Sequence, residues 1–113
     1  MKTITETRKT TVILALYGKY DVSEIIRFES QFKDAVKELP ERIALNLSEL
    51  DYIDSSGIGS LIRCMNIALH DGVDFLCYDV NDKIVGIFKA AKLDQYLKLL
   101  SLNEFNALFD DAN

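Results

Sequence analysis

The sequence predicts a mixed α/β fold, and three observations carry that reading. Extended segments rich in β-branched residues open the chain, strand-like and helix-like patterns then alternate, and no repeat, linker or low-complexity tract interrupts the series. The expected order is ββαβαβαβα. It implies one mixed β-sheet, parallel in its later part, with right-handed crossovers and helices packed against it. The length of 113 residues suits a single domain spanning 1–113.

Ile4–Arg8 and Thr11–Tyr17 read as an antiparallel hairpin around the polar step Lys9-Thr10, with Gly18 breaking the second strand. Ser23 is the expected N-cap of a helix whose apolar face is Ile25, Phe28, Phe32, Ala35, Val36 and Leu39, ended by Pro40. Ile43–Leu47 suits a central strand covered on both faces, followed by a polar turn at Ser48–Asp51. The second helix starts near Ser55 or Ser56 and ends at Gly72. Its buried stripe is read as Ile58, Leu61, Ile62, Met65, Ala68 and Leu69, opposite Ser60, Arg63, Cys64 and an exposed Ile67. Asp74–Val80 is strand-like, Asp82–Ala91 helical, and Tyr96–Leu100 short and apolar. Ser101-Leu102-Asn103-Glu104 spells a capping box for a last helix.

Composition narrows the function. With 13 Lys plus Arg against 18 Asp plus Glu, the net charge of −5 has the wrong sign for coating nucleic acid or an anionic membrane. The longest apolar run, Val12–Tyr17, is far shorter than the roughly 20 residues of a membrane span, and Met1–Thr11 alternates polar residues where a signal peptide would be apolar. A cytoplasmic protein is expected, without direct nucleic-acid contact or membrane insertion. Cys64 and Cys77 have neither metal-site nor redox spacing and are read as reduced, partly buried thiols.

Enzyme chemistry finds little support. His70, the one histidine, lies at the polar end of a helix, where a solvated cation suits the helix dipole. Ser30-Gln31-Phe32-Lys33 matches S-x-x-K without its companion boxes, and Gly57-Ile58-Gly59 lacks a third glycine because position 62 is Ile62. No catalytic residue, cofactor or metal ligand is assigned.

What stands out is Tyr52-Ile53-Asp54-Ser55-Ser56-Gly57-Ile58-Gly59 at a strand-to-helix junction. Capping by Asp54 or a serine accounts for one polar residue. It leaves unexplained two glycines in an opening helical turn, where each costs up to about 1 kcal/mol. Small residues keep the backbone approachable, and free N–H groups with the positive end of the helix dipole favour a phosphoserine there.

At these residues the chain resembles the STAS-domain family, and within it the small bacterial anti-sigma-factor antagonists. Asp54-Ser55-Ser56-Gly57-Ile58-Gly59 is similar to that family's D-S-[ST]-G-[LIV]-G box, approached here by Asp51-Tyr52-Ile53. Gly18-Lys19-Tyr20-Asp21 resembles its G-E-[LIV]-D turn, with Lys19 in place of the usual glutamate. Gly72, Ile87-Phe88 and Leu93 also match. Ala91-Lys92 departs from a usual small residue and glycine, so the third helix is expected to end without a left-handed turn.

The resemblance implies a function. The unphosphorylated protein binds an anti-sigma factor with serine kinase activity and releases a sigma factor; phosphorylation at Ser55 switches it off; a PP2C-type phosphatase restores it. The partner-binding residues implied are Asp21, Asp54, Ser56, Gly57, Ile58, Arg63 and Ile67. An alternative within the family is a non-switching interaction module, either a stressosome-type scaffold or an accessory subunit of a lipid transporter. A small-ligand or nucleotide-binding domain is a further alternative, disfavoured by the lack of a phosphate loop.

Overall fold

The computed structural model of the chain describes residues 1–110. Thr3, Thr5 and Thr7, alternating with Ile4 and Glu6, open the chain as β1 (Lys2–Arg8), which pairs antiparallel with β2 (Thr11–Tyr20). The expectation that Gly18 ends β2 is corrected. Gly18 takes φ +100° and shifts the ladder register between itself and Lys19, after which the strand resumes to Tyr20. A residue with a Cβ would be strained at that φ, so the glycine bends the strand instead of stopping it.

Asp21, not Ser23, provides the next cap. Its carboxylate accepts from the Ser23 N–H (3.0 Å) and hydroxyl (2.5 Å), fixing one 3₁₀ turn at Val22–Glu24 that feeds α1 (Ile25–Lys37). Phe28, Phe32 and Val36 are buried on one face of α1, with Ile25 and Ala35 half-buried beside them. Leu39 lies beyond the helix at φ +51° and points to solvent, 67% exposed, contrary to its place in the expected apolar face.

The central strands are β3 (Arg42–Asn46) and β5 (Asp74–Tyr78), each parallel to its neighbour. Between β3 and the next helix the sequence reading missed a strand. Leu50–Ile53 forms β4, parallel to the last residues of β2, so the polar turn is shorter than Ser48–Asp51 and the order becomes ββαββαβαβα. Leu50 and Ile53 are buried while Asp51 and Tyr52 face water, and four residues with two polar-facing ones in the middle carry no period-two signal.

The second helix, α2 (Ser55–His70), ends as expected at Gly72, which takes φ +74°. Then come α3 (Asp82–Ala90), β6 (Leu99–Leu100) and α4 (Leu102–Ala107), whose capping box between Ser101 and Glu104 forms as read. The departure at Ala91-Lys92 does not remove the left-handed turn, because Lys92 itself adopts φ 59°. The sheet runs β1-β2-β3-β5-β6, with β4 on the end of β2. Alternation along the strands sends Leu14, Leu16, Ile43, Leu45, Phe75 and Cys77 toward α1–α3, and Ile13, Ala44, Leu76 and Tyr78 toward α4. On that second face Phe105 stacks on Tyr78 with ring centroids 3.7 Å apart. Among the described residues no helix is long and apolar enough to cross a membrane.

Candidate functional site

The mixed sheet places two acidic residues side by side. Tyr20 and Ile53 are register partners in the parallel β2–β4 pair, so Asp21 and Asp54 both leave the sheet at the same end. The Asp54 N–H donates to the Tyr20 carbonyl at 3.4 Å, which ties the two exits together. Asp54 is the N-cap of α2: its carboxylate accepts from the Gly57 N–H at 2.9 Å, and its carbonyl accepts from Ile58 at 2.9 Å. Asp21 is held below the ordinary carboxylate range by the hydroxyl and backbone N–H of Ser23, so it stays ionised near neutral pH.

Ser55 is the first residue of α2 and is exposed, and its hydroxyl makes no hydrogen bond among the described residues. Ser56 is half-buried. Ser55 is therefore the more accessible of the two serines. The oriented helix start adds a positive field at its hydroxyl.

The two glycines of the box play different parts from those read in the sequence. Gly57 is buried, and a Cβ there would collide with the Tyr20 carbonyl oxygen and lie 2.7 Å from Ile53 Cγ1. It lets α2 press against the ends of β2 and β4, and its backbone is sealed instead of approachable. Gly59 has room, with Arg63 Nη1 at 3.7 Å from where a Cβ would sit.

The faces of α2 also differ from expectation. Gly57, Ser60, Leu61, Cys64 and Ala68 are buried; Ile58, Ile62, Met65 and Ile67 are half-buried against the core; Leu69 is exposed. Small residues join Leu61 on the inward face because the helix packs closely, which leaves Ile58, Ile62, Met65 and Ile67 on its flanks. Ile67 is thus partly covered, and it lies about 18 Å along the helix from Ser55 at 1.5 Å per residue.

Beneath the junction runs a polar chain that sequence reasoning did not find. Ser60 Oγ donates to Glu29 Oε2 at 2.6 Å, and the same oxygen accepts from Arg63 Nη2 at 2.9 Å and Nε at 3.0 Å. With the serine proton committed to the carboxylate, the Tyr20 hydroxyl donates to Ser60 Oγ at 2.5 Å. Burial opposes the charge on Glu29, but the bonds from Arg63 and Ser60 outweigh it and its pKa falls below the ordinary 4.5. Burial drives Tyr20 well above the usual phenol range and pushes the thiols of Cys64 and Cys77 up to about 12. Arg63 is therefore engaged with α1 and not held free for a ligand. A signal for this chain exists only across elements, in the pairing of Glu29 with Arg63, which no local spacing reveals.

Asn81 is the other missed residue. It caps α3 by accepting from the Ile84 N–H at 3.0 Å, while its amide donates to the carbonyls of Leu47 (3.2 Å), Ser48 (3.3 Å) and Leu50 (2.8 Å). That fixes the turn leading into β4 and so the position of Asp54 and Ser55.

Elsewhere the chemistry is plain. His70 is 88% exposed and within 3.0 Å of Asp71. Among the described residues no group of three His, Cys, Asp or Glu side chains is placed to hold a metal ion. An open concavity of 660 Å³ lies at the far end of the sheet, between the β1–β2 turn and the end of α1.

Comparison with known proteins agrees with this architecture. Residues 2–107 match the model of the STAS domain. An anti-sigma factor antagonist from Mycobacterium paratuberculosis superposes with a TM-score of 0.83 at 18% identity, over 96% of this chain and 94% of that one. The Bacillus cell fate determinant SpoIIAA in its phosphorylated form gives 0.71 at 18%, over 95% and 96%. A sulfate transporter family protein from Wolinella succinogenes gives 0.75 at 16%, over 88% and 84%. With a family model spanning nearly every described residue and this sheet order beneath it, the chain belongs to the STAS-domain family.

Proposed function

We propose that the protein is an anti-sigma factor antagonist controlled at Ser55. The unphosphorylated form binds an anti-sigma factor that is also a serine kinase and so frees a sigma factor; phosphate on Ser55 ends the association, and a PP2C-type phosphatase restores it. The protein acts as a binding module and kinase substrate, in the cytoplasm where transcription is controlled. The observation that carries this reading is Ser55 itself: exposed, first in α2, its hydroxyl unengaged and flanked by a capping aspartate. Likeness to SpoIIAA, a protein that exists in a phosphorylated form, supports it.

The switch follows from charge. Phosphate adds about −1.5 to −2 beside Asp54 and Asp21. Arg63 already serves Glu29, and the N-terminal ammonium, which with Lys19 acts on Asp21, is paired with Glu24. The new dianion is therefore presented to the partner, where desolvation and repulsion weaken binding without any change of fold. Asp21, Asp54, Ser56 and the half-exposed Ile58 form the contact patch; Arg63 borders it, and Gly57 and Ile67 contribute through packing.

The test is a titration of the anti-sigma factor that co-purifies with the protein against Ser55→Ala and Ser55→Asp. Ser55→Ala is expected to bind within about threefold of the parent, and Ser55→Asp at least roughly a hundredfold more weakly, a difference of about 3 kcal/mol. Equal affinity of the two variants contradicts the switch. The transporter-family likeness favours a second reading, a constitutive module of the same fold, and equal binding by both variants is its signature.

A further inference from the structure

We propose that β1 is a dimerisation edge, on which a second copy of this chain pairs antiparallel about a two-fold axis through Ile4. The proposal is independent of the phosphorylation reading. β1 ends the sheet: one side bonds to β2 and the other presents unpaired backbone groups along seven residues. Lys2, Ile4 and Glu6 share the face on which Ala15 and Tyr17 of β2 lie, since Lys2 pairs with Tyr17 and Ile4 with Ala15. Ile4 is 44% and Tyr17 37% exposed there, an apolar pair on the open part of the face that α4 covers elsewhere.

The charges choose the occupant. Arg8 is already committed to the last helix, with Nη1 donating to Asn106 Oδ1 at 2.8 Å and the guanidinium 4.0 Å over the Phe109 ring. Lys2 and Glu6 are exposed and form no ion pair among the described residues. A two-fold axis at Ile4 sets Lys2 of each copy opposite Glu6 of the other, Ile4 opposite Ile4, and Thr3 opposite Thr5. Moving the axis to Thr5 sets Lys2 against Arg8 and Ile4 against Glu6, and moving it to Thr3 sets Lys2 against Ile4 and parts it from Glu6. Opposite charges across strands attract and like charges repel, so the pattern that guards this edge against general pairing selects one register with a copy of itself. The joined sheets would run continuously through both molecules, the strand-addition mode of association.

The test is sedimentation velocity from about 1 to about 500 μM on the parent, Lys2→Glu, Glu6→Lys and the double variant. A concentration-dependent dimer is expected. Each single reversal acts twice by symmetry and should raise its dissociation constant roughly tenfold, while the double variant restores it to within about threefold. That recovery also shows that the reversals leave the fold intact. Under mild oxidation Ile4→Cys should give a disulfide-linked dimer and Thr5→Cys should not, against a low background because Cys64 and Cys77 are buried. A monomer at every concentration, a dimer indifferent to the reversals, or equal cross-linking at Thr5 overturns the proposal.

Discussion

Ser55 and Ser56 are adjacent, yet the first is exposed at the helix start and the second half-buried. The Asp54-to-Gly59 box was legible because its residue types are unusual at a strand-to-helix junction. The work of each residue was not, since both glycines look alike in sequence. Gly57 is the one in contact with Tyr20 and Ile53, so Gly57→Ala should lower unfolding free energy by about 2 kcal/mol through overpacking. Gly59→Ala meets no obstacle and should stabilise by up to about 1 kcal/mol through helix propensity. Urea denaturation of the pair checks both, and equal effects would refute the distinction. Ser60→Ala strands the buried Tyr20 hydroxyl and removes a donor to Glu29, at an expected cost of about 1–3 kcal/mol. Combining it with Tyr20→Phe should cost less than the two single losses added together, because the hydroxyls share one bond.

At the scale of elements, periodicity located α1, α2 and α3, and turn chemistry located the close of α2 and the start of α4. It failed where tertiary packing decides. β4 exists because Asn81 holds the preceding turn and β2 offers a bulged partner, neither of which is local to residues 50–53. Asn81→Ala should therefore lower stability by about 2 kcal/mol, combining a lost cap with carbonyls left short of a donor. The inward face of α2 was read in part: Leu61 and Ala68 are buried as expected, but the small Ser60 and Cys64 also turn inward and Leu69 faces water. The Glu29–Arg63 pair joins α1 to α2 and gives a pH signature. Glu29 has a folded pKa below its ordinary 4.5, so its contribution is complete above about that pH and is lost as pH falls through the lowered value. Glu29→Gln should flatten that part of the acid limb when urea midpoints are followed from neutral to acid pH. An unchanged limb would show that the pair does not carry it.

For the whole molecule, alternation of strands and helices was enough to read a mixed sheet with a parallel later part. Strand order and the second apolar face were beyond it, because they depend on which strands meet. The folded chain buries both thiols, so neither should react with a disulfide reagent near pH 8 until the protein unfolds. The proposed switch demands little of this scaffold: the sheet sets two carboxylates and the exposed Ser55 hydroxyl at one end, and a phosphate there would change what a partner meets. Phosphosite mapping by mass spectrometry, on the protein purified from its native cells before and after serine-phosphatase treatment, bears on this most directly. Phosphate on Ser55 that the phosphatase removes is the expected result. Its absence through growth, starvation and stress alike would contradict the switch and leave a constitutive binding module of the same fold.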